Sequence, residues 1–268
     1  MSDADTVRAI RLYGTPTADP PRRILRAGSL SAVLQDGMIR YVRLDGIEVL
    51  RAIAFMVRTD NWGTLVPAID DLRVAETGDA FTVGYRAVCA DDVRRVVYDA
   101  RIRGTADGSL SFTATATPET DVLTNRTGFT VLHPAALAGK PMSVEHVDGS
   151  REEIVLPDLI SPGQPIFLVR ELAHTVAPGV RARCRMGPDA FETEDQRNWS
   201  DASFKTYVRP TAMPAPYVLR KGETFTQSVE LSIEGRVAAA AASGRGAVRL
   251  EIGGESGGVM PLIPDRQR

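Results

Sequence analysis

The chain has 268 residues, 43% hydrophobic and 25% charged, enough apolar material to bury the core of one large domain or of two smaller ones. Its 32 Lys and Arg nearly balance its 34 Asp and Glu, and with a net charge of -2 nothing suggests a basic nucleic-acid surface. No apolar run approaches the roughly 18 residues of a membrane helix.

The opening MSDADTVRAI is acidic and has no apolar signal core, while Cys89 and Cys184 are too few and too separated for a disulfide framework. A reduced, cytoplasmic protein is therefore expected. Residues 1–27, Pro- and Arg-rich around Thr15–Arg26, read as an arm and a short first strand. From Ser29 the strand signals begin: Leu30–Leu34 and Met38–Leu44 flank Gln35-Asp36-Gly37, and Asp45-Gly46 precedes Ile47–Leu50. Asp-Gly supplies the positive φ that tight hairpins need, and it recurs at Asp107-Gly108 and Asp148-Gly149.

Alternation then carries the reading. Phe81, Val83, Tyr85, Ala87 and Cys89 share one face, as do Val96, Tyr98, Ala100 and Ile102, and then Leu110, Phe112, Ala114 and Ala116. Each set has polar residues on the other side, the pattern of antiparallel sheets packed on each other. Thr226–Ile233 reads as a further strand and Val248–Ile252 as a last one. No amphipathic helix of normal length is expected; Ala238–Ala242 is a helical turn or a linker. The expectation is an all-β chain, a large antiparallel β-sandwich with little helix over residues 28–252, with a Gly/Pro-rich tail at 253–268.

The densest polar stretch is FETEDQRNWSDASFKTY, Phe191–Tyr207. It has neither Gly nor Pro, which argues against a plain loop. Glu192 and Glu194 share one side, and so do Trp199, Asp201, Ser203, Lys205 and Tyr207. Phe191, Thr193, Ala202, Phe204, Thr206 and Val208 take the other. Two strands joined at Asp195–Asn198 would present a polar site on a rigid base; the competing reading is a salt-bridged sheet surface.

His133 ends a strand before a proline, where imidazole can act as acid or base; the alternative is a histidine satisfied by backbone at a sheet corner. His146 precedes a turn, and His174 reads as packing. No histidine or cysteine spacing suits a metal, and no Gly-rich cofactor loop precedes a helix, so no metal or cofactor is expected. Trp62, in Asn61-Trp62-Gly63, can stack on the apolar face of a sugar ring or serve as a core aromatic.

NWGT at Asn61–Thr64, NRTGFTVLHP at Asn125–Pro134, VEHVDG, ISPGQPIF at Ile160–Phe167 and the Glu192–Tyr207 string occur in this order. The chain thereby resembles the N-terminal part of the D-apionate lactonase family, over roughly Gly28 to Leu231. The resemblance implies a galactose-mutarotase-like supersandwich and a sugar lactone such as D-apionolactone as ligand. It also implies that in longer members a barrel-type domain follows, so the chain is either a piece of such a protein or a stand-alone relative.

Lactone opening needs an activated water and a stabilised oxyanion. Glu192, Glu194 or Asp195 is the candidate base, His133 base or acid, and Arg197 or Lys205 the group that polarises the carbonyl. Trp62, Asn125, Arg126, His146, Gln196, Asn198, Trp199, Asp201 and Tyr207 are the candidate substrate contacts. Epimerisation or elimination would use the same pieces. A non-catalytic carbohydrate-binding or domain-packing sandwich, meeting a partner domain or a second copy of the chain, is the alternative.

Overall fold

A computed structural model of the chain describes residues 3–16 and 20–237. The expected strand at Val248–Ile252, the Ala238–Ala242 run and the tail at 253–268 lie outside the described residues.

Most of the described chain is antiparallel sheet. One set of strands runs, in spatial order, Pro67–Thr77, Ala80–Ala90, Arg95–Thr105, Leu110–Pro118, Phe225–Glu234, Val180–Gly187, Ile166–Ala177, Pro141–His146 and Arg151–Val155. The other runs Arg23–Ala27, Leu30–Gln35, Met38–Leu44, Ile47–Arg58, Arg126–Pro134, Ser203–Val208 and Phe191–Asp195. They join where Ile166 and Val169, at the start of the strand Ile166–Ala177, pair with Thr193 and Phe191. The expected large antiparallel β-sandwich is the architecture found.

Alternation decides what lies between the layers. Phe55 and Phe129 project from one sheet, and Tyr98, Phe112 and Phe225 from the other. The Phe55 and Tyr98 rings are 4.7 Å apart and the Phe112 and Phe129 rings 4.9 Å apart. Offset or edge-on contacts at such spacing add about 1 kcal/mol each beyond area burial. Tyr85 reaches across to donate to the Gly37 carbonyl at 2.6 Å, tying the Asp36-Gly37 turn to the opposite sheet. Both cysteines are buried free thiols, and burial pushes each up to about 12.

Two expectations need correction. Residues 1–27 do carry a short first strand, Arg23–Ala27, but a helix, Asp3–Tyr13, precedes it, with Asp3 and Asp5 in its first turn and Arg11 in its last, the charge placement that suits the helix dipole. Those charges hide a short helical period in which Ala9 is the buried residue among the described side chains. The strand expected at Ile47–Leu50 continues to Arg58, because Ala52, Ile53, Ala54 and Phe55 are all buried and blur the period of two. Pro67–Thr77 is mostly exposed and interrupted by a bulge at Asp70–Arg73, so it carries little apolar signal.

Candidate functional site

The Phe191–Tyr207 stretch folds as expected: a strand Phe191–Asp195, one 3-10 turn Gln196–Trp199, and a strand Ser203–Val208. The Asp195 side chain caps the turn by accepting from the Arg197 backbone N–H. The register places Glu192 opposite Tyr207 and Glu194 opposite Lys205, while Tyr207 also faces Thr130 on the strand Arg126–Pro134. Arg126 lies opposite Arg58. Side chains of one parity on these neighbouring strands share the outer face of the sheet.

There they line a cavity of about 580 Å3 with Met56, Arg58, Trp62, Arg126, Thr130, Glu194, Gln196, Trp199, Lys205, Tyr207 and Thr211. Glu194 and Lys205 form an ion pair across the register. The Arg126 guanidinium lies 3.7 Å from the centre of the Tyr207 ring and 5.3 Å from that of Trp62. Desolvation holds the pKa values of both Arg126 and Arg58 below the usual arginine range. Burial, then the hydrogen bond to Glu192, raises that of the Tyr207 phenol, which stays protonated.

The two tryptophans form walls of this cavity and remain 49% (Trp62) and 72% (Trp199) exposed, against the bury-first tendency of so large a ring. Trp62 sits at φ 66°, a left-handed conformation rare for a bulky residue. Its turn is closed by the Thr59 N–H to the Gly63 carbonyl at 2.8 Å, and Asn125 pins it by donating to the Asp60 carbonyl at 2.6 Å. Asn125 is thus a buried support for Trp62 and does not itself line the cavity.

The remaining expected residues separate by geometry. Glu192 is fully buried behind the cavity: it accepts from Tyr207 at 2.7 Å and from the Thr211 hydroxyl and backbone N–H at 2.9 and 3.2 Å. Asp195 faces the interior and pairs with Arg197 through two contacts of 2.8 Å, while also accepting from the Ser161 N–H. Burial opposes ionisation of Asp195, yet these hydrogen bonds hold its carboxyl below the usual range. Arg197 spends its other donors on the Pro157 and Asp158 carbonyls, and Asn198 on the Ser161 and Asp195 carbonyls. These three fasten the 157–161 loop and do not line the cavity. Asp201 accepts from Ser203 at 3.0 Å.

The two histidines named as candidates lie elsewhere. His133 has 0% exposure and projects between the sheets, because it differs in parity from Leu132, which faces Lys205. Its ring is 6.3 Å from that of His174. His146 ends the strand Pro141–His146 of the other sheet, paired with Val169, holds Glu152 at 3.0 Å and the Phe167 carbonyl at 2.9 Å, and does not line the cavity. Met56, Arg58, Thr130 and Thr211 line the cavity without having been singled out; Thr130 shares Arg126's parity on its strand, the one signal that points to it. Among the described residues no three His, Cys, Asp or Glu side chains converge in a metal-holding group.

The structure is similar to a galactose 1-epimerase from Lactobacillus acidophilus, with a TM-score of 0.53 and 10% identity over 79% of this chain and 93% of that one. It is also similar to a GH36 alpha-galactosidase from Geobacillus stearothermophilus, with a TM-score of 0.50 and 12% identity over 81% of this chain and 41% of that one. At such identities these likenesses show a shared fold. A D-apionate lactonase from Brucella anthropi is 44% identical over 255 residues, which cover 94% of this chain and 42% of that protein. The chain thus spans less than half the length of that relative. The family described as "D-apionate lactonase, N-terminal domain" matches residues 10–236, the whole two-sheet body, and the chain belongs to that family.

Proposed function

We propose that this chain takes part in hydrolysis of a sugar lactone of the D-apionolactone type, with the Glu194–Lys205 pair at the reacting centre. The observation that carries the reading is this lone carboxylate–ammonium pair in a cavity walled by two exposed tryptophans. Of the three carboxylates expected as bases, Glu192 and Asp195 are committed to internal partners and Glu194 alone lines the cavity. The name of the Brucella anthropi relative supplies the substrate class.

In this scheme Glu194 takes a proton from a water as its oxygen attacks the lactone carbonyl carbon. The Lys205 ammonium faces the negative oxygen of the tetrahedral intermediate. The ring C–O bond then breaks, and the departing oxygen takes the proton back from Glu194. The products are a hydroxyl and a carboxylic acid that ionises at neutral pH, so turnover releases protons. Trp62 and Trp199 hold the apolar face of the sugar. A cytoplasmic setting suits two buried thiols.

The exposed tryptophans also favour a second reading, in which this face packs against a further domain that supplies the chemistry. Proton release by the purified chain with D-apionolactone distinguishes the two. Turnover that Glu194→Gln abolishes supports the hydrolase reading. No turnover by a folded chain overturns it for these residues alone and supports the packing module.

A further inference from the structure

Several cationic side chains among the described residues are neutralised: Arg51, Arg94, Arg95, Arg151, Arg183, Arg185 and Arg197 each have a carboxylate within 4.0 Å. Arg126 and Arg58 are not, among the described residues, although both line the tryptophan-walled cavity. Arg58 spends one N–H on Thr64 Oγ1 at 2.8 Å. The Arg126 guanidinium lies over both the Tyr207 and Trp62 rings, and its Nε is buried with no hydrogen-bond partner. A guanidinium held at its faces keeps its in-plane N–H fork for a ligand, and a buried unpaired donor costs about 1–3 kcal/mol unless something accepts from it.

The cavity's charge points the same way. Arg58, Arg126 and Lys205 face it against Glu194 alone, a lining of +2. On the acceptor side, Gln196 Oε1 is likewise buried without a partner and is free to accept from a ligand hydroxyl. A donor fork, an excess of positive charge, a lone amide acceptor and two aromatic walls describe a small polyhydroxylated anion.

We infer that Arg126, supported by Arg58, forms a carboxylate subsite, so that the ligand this pocket holds best is an open-chain sugar acid rather than a neutral sugar. The inference rests on the reading of this cavity as the site of the chain's activity. In that setting the carboxylate produced by ring opening moves from Lys205 to the Arg126 fork, and the sugar acid acts as an inhibitor competing with the lactone. Selectivity between a sugar acid and its neutral counterpart then resides in Arg126 and not in the Glu194–Lys205 pair.

Trp62 and Trp199 are the only tryptophans in the chain, so intrinsic fluorescence reports on this cavity directly. The test titrates sodium erythronate, a four-carbon sugar acid, and erythritol, its neutral counterpart, at fixed ionic strength, with calorimetry alongside. Erythronate is expected to give a saturable change and to bind at least about tenfold more tightly than erythritol. Arg126→Gln is expected to weaken erythronate by about tenfold or more, the scale of one charge-assisted hydrogen bond, and to leave erythritol unchanged.

Arg58→Gln, nearer the rim, is expected to weaken erythronate less and serves as the second variant if Arg126→Gln does not fold. Equal affinity for acid and polyol, absence of erythronate binding, or erythronate binding that survives loss of both arginines overturns the inference. Lactone turnover is measured on the same preparations. Arg126-dependent erythronate binding without turnover removes the hydrolase reading and leaves the subsite standing; turnover without acid binding does the reverse.

Discussion

His133 Nε2 and Thr206 Oγ1 lie 3.1 Å apart between the two sheets, on the face opposite Lys205 and Glu194. Thr206 continues to Thr193 Oγ1 at 2.9 Å, and His174 stands beyond the imidazole. Burial lowers His133 to about 3, helped by neighbouring His174, and lowers His174 to about 4. Both rings are therefore neutral in the folded protein, whereas an unfolded histidine titrates near 6.5. The unfolded chain binds more protons below that value, so the contribution to stability is complete above pH ~6.5 and is lost as pH falls toward the folded values. Melting temperature is expected to drop by several degrees between pH 7 and pH 5, above the range where carboxylates titrate. His133→Gln is expected to flatten that drop; superimposable profiles for the two proteins would refute the neutral buried pair.

Asp195 and Arg197 are the second structural test. The carboxylate is fully buried, and Arg197 ties it to the Pro157 and Asp158 carbonyls. Arg197→Ala leaves a buried charge without its partner and is expected to cost about 3 kcal/mol, read as a lower urea midpoint. Asp195→Asn is expected to cost less, since the Ser161 N–H still finds an acceptor. Because the two side chains share one network, the double variant should cost less than the sum of the singles. Additive losses would show that the pair acts as two independent contacts.

Glu192 and Glu194 are two residues apart on one strand face, yet the structure gives them different work. Glu194→Gln is expected to reduce lactone turnover about 100-fold or more with little change in melting temperature. Tyr207→Phe removes the donor to buried Glu192 and is expected to destabilise by about 1–3 kcal/mol, with a smaller effect on turnover. If Tyr207→Phe proves silent in stability while abolishing turnover, the phenol belongs to the chemistry instead.

The period of two made much of this legible. It places Phe204 and Thr206 inward and Lys205 and Tyr207 toward the cavity, and it finds the hairpin between Phe191 and Val208. It cannot say which of the stretch's carboxylates already has a partner. Glu192 is spent on Thr211, which arrives from a loop after the strand, and Asp195 on a loop at 157–161, far away in sequence. His133 shows the same limit from the other direction. A strand end before a proline suggests an exposed base, but parity with Phe129 and Val131 sends it inside with them. The alternation of Arg181, Arg183 and Arg185 with Ala182, Cys184 and Met186 marks the strand Val180–Gly187 clearly, though motif reading passes over it.

Gly128 offers the last prediction, because it sits between the core and the cavity on the strand that carries Arg126 and Thr130. Its φ is 140°, and a Cβ there would lie 2.2 Å from Gln227 Oε1 and 2.7 Å from Val208 Cγ1. Gln227 is buried and bridges the sheets: its Oε1 accepts from the Phe129 N–H at 3.1 Å, and its amide donates to Asp189 at 2.7 Å. Gly128→Ala must displace that amide, leaving the Phe129 N–H without an acceptor as well as straining the backbone. A cost of about 3 kcal/mol or more is expected from the urea midpoint. Gly46, at φ 83° with nothing within 4 Å of its added Cβ, supplies the control, since Gly46→Ala carries backbone strain alone, about 1 kcal/mol. Equal losses at the two positions would mean that conformation, rather than the close approach of Gln227, is what requires glycine at 128.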